Sequence, residues 1–213
     1  MKVKEERPNP TKSMVDTLVL GYAIFAPAVS DSADSRAQNM REDSRALLNQ
    51  LQIIHISAIT WIELRRMRRL HPNDQALLAE YKRRFYIHPV DPAIAESSAD
   101  LLENFVKTPG VCPRCFSFKG SDPCPKCKAM RSRTSRINDA IVVATANEVT
   151  QVEALYTYDG GMLVMAKDVS GCKVMRPPHR DGPLFAHGEE KTNADSVLSL
   201  SSSSPVKAAD SDE

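Results

Sequence analysis

Short β-rich runs that alternate with helical segments are the feature that most constrains how this chain can fold. Residues 52–57 form one such run and lead directly into a helix, where Thr60 and Glu63 have the spacing of a helix-opening capping box. The further predicted elements are helices at 73–85, 92–107 and 138–149 and strands at 86–90, 153–158 and 173–175. This alternation predicts an α/β domain with a mainly parallel central sheet and helices on both faces.

Composition separates a predicted folded part from two flanking segments. Residues 1–11, with Pro8 and Pro10, predict a flexible lead into a domain at 12–187. The last 26 residues, 188–213, hold 7 Ser and 6 acidic against 2 basic residues, which predicts a disordered acidic tail. The net charge of +1 therefore divides into +5 on residues 1–187 and −4 on the tail, and it excludes binding of nucleic acid by bulk charge alone.

The longest uncharged apolar run, Leu18 to Val29, bears on where the chain resides. Its 12 residues fall short of the roughly 20 that a membrane helix needs, so no membrane span is predicted. The run also resembles the apolar part of a secretory signal, although Asp16 and the acidic residues near the N-terminus oppose that alternative. Cysteine usage points to the cytoplasm, with Cys172 left as a free thiol.

Two CPxC motifs lie close together, separated by eight residues. Their cysteines are Cys112, Cys115, Cys124 and Cys127. The spacing predicts a closed four-thiolate zinc site with a structural role, within an insertion at 109–131 of the domain. A single iron is the chemical competitor, since four thiolates bind either metal, and unrelated buried thiols are the remaining alternative.

Carboxylates occur at the ends of predicted strands or at the starts of the helices that follow. They are Asp16 after residues 13–15, Glu63 in the helix after 52–57, Asp139 at the start of the 138–149 helix, and Asp159 after 153–158. Ligand sites of parallel α/β sheets lie outside the carboxyl ends of the strands, so we expect these groups to meet there. Carboxylates without His suit Mg²⁺ or Mn²⁺ better than zinc.

Each carboxylate also has a purely structural interpretation. Glu63 can complete the capping box, Asp139 can stabilise a helix N-terminus, Asp159 can be a turn residue before two glycines, and Asp16 can be an N-cap. The functional interpretation therefore rests on the set of four rather than on any single residue.

Four segments carry a family resemblance: 15–17 (VDT), 57–64 (SAITWIEL), 138–146 (NDAIVVATA) and 155–159 (LYTYD). In this order they resemble the motifs of PIN-domain nucleases, particularly toxin ribonucleases of the VapC type, over roughly residues 12–178. The resemblance implies a PIN-like α/β fold and one acidic pocket in which the four carboxylates hold Mg²⁺ or Mn²⁺ or metal-bound water. It also implies that Thr157 orients Asp159, and it raises the expectation of a homodimer and of an antitoxin-like protein partner.

Two basic groups adjoin these carboxylates. One comprises Lys126, Lys128, Arg131, Arg133 and Arg136, and the other begins with Arg65 and Arg66 after Glu63. They predict contacts to nucleic-acid phosphates, with a solvated helix face as the alternative. Phe116, Phe118 and Trp61 are candidates for stacking on bases, with core packing favoured for Trp61.

The sequence thus predicts a Mg²⁺- or Mn²⁺-dependent endonuclease that hydrolyses phosphodiester bonds, in RNA rather than DNA. The alternative is a noncatalytic zinc-containing nucleic-acid-binding or scaffold protein on the same fold.

Overall fold

A five-stranded parallel sheet forms the centre of the computed structural model, which describes residues 12–25, 34–67, 72–112, 114–116 and 133–180. The strands are β1 Ser13–Val15, β2 Ile54–Ser57, β3 Phe85–His88, β4 Ala154–Tyr156 and β5 Lys173–Met175. Their order is β3-β2-β1-β4-β5, and all four neighbouring pairs are parallel. The central strand, β1, has three residues. It pairs with β2 through Met14 and with β4 along its full length.

Helices connect the strands, as a parallel sheet requires. Within the described residues they are α1 Thr17–Ile24, α2 Ser35–Gln50, α3 Ala58–Arg66, α4 Pro72–Lys82, α5 Pro92–Lys107, α6 Arg133–Glu148 and α7 Gly160–Met165. Several begin at a side-chain cap. The Asp91 carboxylate accepts from Ile94 N before α5, and the Asp159 carboxylate accepts from the first amides of α7.

Two apolar layers cover the two faces of the sheet. On one face Val15, Ile54 and Ile56 pack with residues of α1, α2 and α4. On the other face Met14 and Leu155 pack with residues of α6 and α7. Adjacent residues of β1 therefore serve opposite layers, as the two-residue period of a strand dictates, and burial on both faces explains why Met14 and Val15 are both apolar.

The predicted α/β class, with a mainly parallel central sheet and flanking helices, is confirmed. The bounds of α5 and β5 match the prediction, whereas α1 and α2 were not predicted. The proposed capping box is wrong, because Ser57 caps α3 by accepting from Ile59 N and Thr60 lies inside the helix. Asp139 does not open its helix either, since α6 begins at Arg133.

Several predicted segments fall outside the described residues. They are the lead at 1–11, most of the insertion at 109–131 and the tail at 188–213. In the part of the chain that is described, none of the helices has the length and apolarity needed to cross a membrane.

Candidate active site

The four predicted carboxylates line a single cavity of about 440 Å³. Asp16 directly follows β1, Glu63 lies on α3, Asp139 lies on α6, and Asp159 follows β4 and caps α7. The other lining residues are Thr17, Leu18, Arg66, Met67 and Ser135. Elements far apart in sequence thus bring all four carboxylates to the carboxyl end of the sheet, where α/β folds place ligands.

Asp16 is held by partners on both of its oxygens. Its Oδ1 accepts from Thr17 N at 2.6 Å, which caps α1, and its Oδ2 accepts from Thr157 Oγ1 at 2.9 Å. Burial raises the pKa of Asp16 to about 6, and the charge of Glu63 acts in the same direction. The N-cap interpretation and the site interpretation are therefore compatible, because one carboxylate does both.

Glu63 connects two helices across the cavity rather than its own helix terminus. Thr17 Oγ1 donates to its Oε2 at 2.5 Å, and Asn138 Nδ2 donates to its Oε1 at 2.9 Å. Sequence reasoning assigned no role to Thr17 or Asn138. Each directly follows or precedes a predicted site carboxylate, and that adjacency was the available signal.

Arg136 joins the two remaining carboxylates. Its Nη1 donates to Asp139 Oδ2 at 2.7 Å and to Asp159 Oδ1 at 3.0 Å. Its side chain has no exposed surface, so the prediction that Arg136 lies on a phosphate-binding flank is wrong. The reason is helix geometry: Arg136, Ala140 and Val143 repeat at the spacing of the buried stripe of α6, and Asp139 stands one turn from Arg136.

The charges around Arg136 are strongly coupled. Burial raises the pKa of Asp139 to about 7, and repulsion from Asp159 and Asp16 adds to the effect while Arg136 opposes it. Burial acts to lower the pKa of Arg136, but the charges of Asp139 and Asp159 outweigh it and the pKa is raised. The guanidinium therefore stays charged between its two carboxylates.

Thr157 serves two carboxylate positions at once. Its hydroxyl donates to Asp16 and accepts from Asp159 N at 3.0 Å. The side chain of Asp159 is instead fixed by its own helix, since Oδ1 accepts from Gly161 N at 2.6 Å and Met162 N at 3.2 Å. Thr157 thus orients the Asp16 carboxylate, and it holds Asp159 through its backbone.

The donor chemistry of the cavity suits a hard divalent cation. All four acidic side chains are carboxylates, and burial, with a smaller share of mutual repulsion, raises the pKa of Asp16 and Asp139, an effect that a bound cation would offset. Among the residues that the structure describes, no three Asp, Glu, His or Cys side chains lie close enough together to hold a metal ion. Both oxygens of Asp16 and both oxygens of Glu63 accept internal hydrogen bonds, so an ion bound there would share these oxygens with the present donors or replace them.

The predicted basic residues divide into three groups. Arg66 lines the cavity, and Arg65 is exposed on α3 with its guanidinium 5.6 Å from the centre of the Trp61 ring. Arg133 opens α6, but its side chain lies outside what the structure describes. Lys126, Lys128 and Arg131 lie outside the described residues altogether.

The first CPxC motif is described except for Pro113, and the second lies outside the described residues. Phe116 N donates to Cys112 O at 2.8 Å, and Phe116 has a φ of 57°, so the chain turns tightly at Cys112 and Cys115. Cys124, Cys127 and Phe118 lie outside the described residues. Phe116 is buried against Phe105 and Met165, which contradicts its predicted role in stacking on bases.

Comparison with known proteins gives matches of fold only. No family model and no curated protein matches the chain. The chain is similar to the crystal structure of VapBC2 from Rickettsia felis bound to a DNA fragment from their promoter, with 15% identity, 77% of this chain and 97% of that chain covered, and a TM-score of 0.43. It is also similar to VapC20 of Mycobacterium tuberculosis, a sarcin-ricin loop cleaving toxin, with 14% identity, coverage of 76% and 98%, and a TM-score of 0.37.

Proposed function

We propose that this chain is a PIN-type endonuclease that uses Mg²⁺ or Mn²⁺ to hydrolyse phosphodiester bonds, in RNA rather than DNA. The observation that carries the proposal is the convergence of four carboxylates, from four separate elements, on one cavity at the carboxyl end of the sheet. The preference for RNA rests on the resemblance of the four sequence motifs to those of toxin ribonucleases.

Four carboxylates would bind the cation, and neighbouring residues hold these carboxylates in place. Asp16, Glu63, Asp139 and Asp159 would hold the ion or water bound to it. When bound, such an ion supplies a water of lowered pKa and offsets charge on the leaving oxygen. Thr17 positions Asp16 and Glu63 together, through its amide and its hydroxyl respectively. No side chain is needed as a general base.

Cations beside the cavity would bind the substrate backbone. Arg66 lines the cavity, and Arg65 lies on the same exposed end of α3. We propose that these two act with Lys126, Lys128, Arg131 and Arg133, which precede or open α6, on the phosphates that flank the cleaved bond. Arg136 is not included, because it is buried inside the acidic site.

The decisive experiment is incubation of the purified full chain with total RNA and with single- and double-stranded DNA, with and without Mn²⁺, followed by mapping of the ends. We expect cation-dependent cleavage of RNA at defined positions. Asp139→Asn should abolish it, whereas Asp100→Asn, an exposed carboxylate on α5, should not. Cleavage by Asp139→Asn at the wild-type rate would refute the assignment of the site.

The alternative function is binding of nucleic acid without cleavage. It is favoured by one observation, the engagement of Asp139 and Asp159 by an internal arginine. Under that alternative, RNA would bind with the salt dependence of phosphate contacts, yet no substrate would be cut at any Mn²⁺ concentration.

We also propose that Cys112, Cys115, Cys124 and Cys127 hold one structural zinc ion. The tight turn at the first motif supports this, because the short loop between two zinc-binding cysteines has to turn the chain sharply. Metal analysis of the purified protein should find about one zinc per chain. Iron in its place would identify the competing site, and a metal content far below this value would refute a four-thiolate centre.

We propose a cytoplasmic protein that forms homodimers and is held by an antitoxin-like protein partner. Leu18 and Met67 support a protein partner there, because both are exposed apolar side chains that line one cavity, and clustered exposed apolar side chains mark contact surfaces. Light scattering of the purified chain tests the dimer, and affinity capture from its native cells tests the partner.

A further inference from the structure

We propose that the Arg136 guanidinium is a resident cation between Asp139 and Asp159, so that the cavity binds one divalent ion, on the side of Asp16 and Glu63. This inference rests on the proposed function, since it concerns how that site is charged. It adds what the family resemblance does not contain: an arginine of the chain itself in the place of a second metal ion.

The bridging geometry is the first observation. One nitrogen, Nη1, contacts a carboxylate oxygen from α6 and another from the loop after β4. Two carboxylates brought this close repel each other unless a positive charge lies between them. In two-metal nucleases that charge is supplied by a metal ion, and here a guanidinium nitrogen is placed where both carboxylates meet.

The burial of Arg136 is the second observation. The side chain has no exposed surface, and among the residues that the structure describes its Nε and Nη2 find no hydrogen-bond partner. Burying a guanidinium with unpaired donors is costly, so packing alone would not retain it there. The ion pairs with Asp139 and Asp159 offset this cost of burial, which indicates that the two carboxylates hold the guanidinium in place.

The shape of α7 is the third observation. A Cβ at position 161 would lie 2.0 Å from Arg136 Nη1 and 2.5 Å from its Cζ, whereas a Cβ at position 160 would have nothing within 4 Å. Only glycine at 161 leaves room for the guanidinium. The first turn of α7 therefore has two roles. Its amides donate to the capping carboxylate of Asp159, and Gly161 leaves space for the guanidinium of Arg136.

The other half of the cavity lacks such a cation. Asp16 and Glu63 share Thr17 as a hydrogen-bond donor, and in the part of the chain described here neither forms an ion pair with Lys, Arg or His. Their two charges, with that of Asp139 adjoining, are left for an external ion. One divalent cation satisfies that half, while a second would have to displace Arg136.

The test is Mn²⁺ titration of the full-length, zinc-loaded protein by calorimetry, with electron paramagnetic resonance to count bound ions. We expect about one Mn²⁺ for the wild type and about two for Arg136→Met, because removing the guanidinium opens the second position. Arg136→Lys, which keeps a positive charge, and Arg65→Met, which removes an exposed one, should both stay at the wild-type count. Asp159→Asn combined with Arg136→Met should return the count to that of the wild type.

Should Arg136→Met unfold without metal, Gly161→Ala offers a second variant, in which the added methyl displaces the guanidinium without removing it. The proposal is supported if Mn²⁺ raises the melting temperature of either variant more than that of the wild type. Equal counts and equal melting shifts in all variants overturn it. If the wild type binds Mn²⁺ and cleaves RNA, but the variants bind no additional Mn²⁺, this inference alone is refuted. If the wild type neither binds Mn²⁺ nor cleaves, the proposed function is refuted too.

Discussion

Replacing Gly161 by alanine tests how firmly the guanidinium of Arg136 is held, and Gly160 provides the matched control one residue away. Both glycines open α7, and neither has a positive φ, so alanine is conformationally acceptable at both. At Gly160, which is exposed, an added Cβ meets nothing within 4 Å. At Gly161 it would lie 2.0 Å from Arg136 Nη1, well inside van der Waals contact.

The magnitudes follow from these contacts. Gly160→Ala should stabilise the protein by about 0.4–1 kcal/mol, because alanine restricts the unfolded chain more than glycine does. Gly161→Ala gains the same amount but incurs about 1–3 kcal/mol for the added volume. Loss of the contacts to Asp139 and Asp159 adds further cost, since breaking a buried ion pair typically costs about 3–5 kcal/mol. We therefore expect the two variants to differ by at least about 2 kcal/mol.

Urea denaturation and calorimetric melting of both variants measure this difference. For a domain of this size, about 2 kcal/mol corresponds to a separation of roughly 4–8 °C in Tm. Equal stability of Gly161→Ala and Gly160→Ala would refute the reasoning, because it would mean that the guanidinium moves aside at no cost. Greater stability of both variants than the wild type would lead to the same conclusion.

Three further predictions concern groups around the cavity and the sheet. Thr157→Val should lower the cleavage rate, and it should lower the free energy of unfolding by about 1–3 kcal/mol, because a buried oxygen of Asp16 loses its hydrogen-bond donor. Thr157→Ser keeps the hydroxyl and should retain most of the rate and most of the stability. Cleavage assays and urea denaturation compare the two variants. Arg66→Ala should weaken RNA binding and reduce the slope of log K against log salt by about one, and an unchanged slope would show that Arg66 contacts no phosphate. His55 Nδ1 and His88 Nε2 lie 2.9 Å apart, and burial lowers the pKa of both rings, so the folded state binds fewer protons than the unfolded state. Their contribution to stability should therefore be complete above the unfolded His pKa of about 6.5 and be lost as the pH falls below it; urea melts at pH 7.5 and 5.5 should show a smaller acid loss for His88→Asn than for the exposed control His179→Asn.

Sequence alone was sufficient where local chemistry determines the structure. The helix predicted at 92–107, with Pro92 in its first turn, has the observed bounds of α5, and the positions of the four carboxylates relative to the strands predicted their convergence. Helix α2 was missed because its first half is rich in polar and charged residues, and its buried positions become clear only when α1 packs on them.

The errors at the site have a shared cause, which is that tertiary contacts override local patterns. Glu63 matched a capping box, but Thr17 and Asn138, from two other helices, attract its carboxylate across the cavity. Arg136 matched a basic flank, yet its place on the buried stripe of α6 turns it inward to Asp139 and Asp159. The predicted helix began at residue 138, so the apolar periodicity of α6 was not extended back to Arg136.

The large sequence separation between β1 and its partners determines when the site can form during synthesis of the chain. Strand β1 pairs along its full length with β4, and the Thr157 hydroxyl that orients Asp16 is 141 positions away in sequence. Contacts of such long range form late and slowly, and a chain emerging from the ribosome cannot form them until both segments are outside. Asp16 therefore lacks its orienting partner until residue 157 has left the ribosome, so the proposed nuclease site cannot assemble before that point of translation.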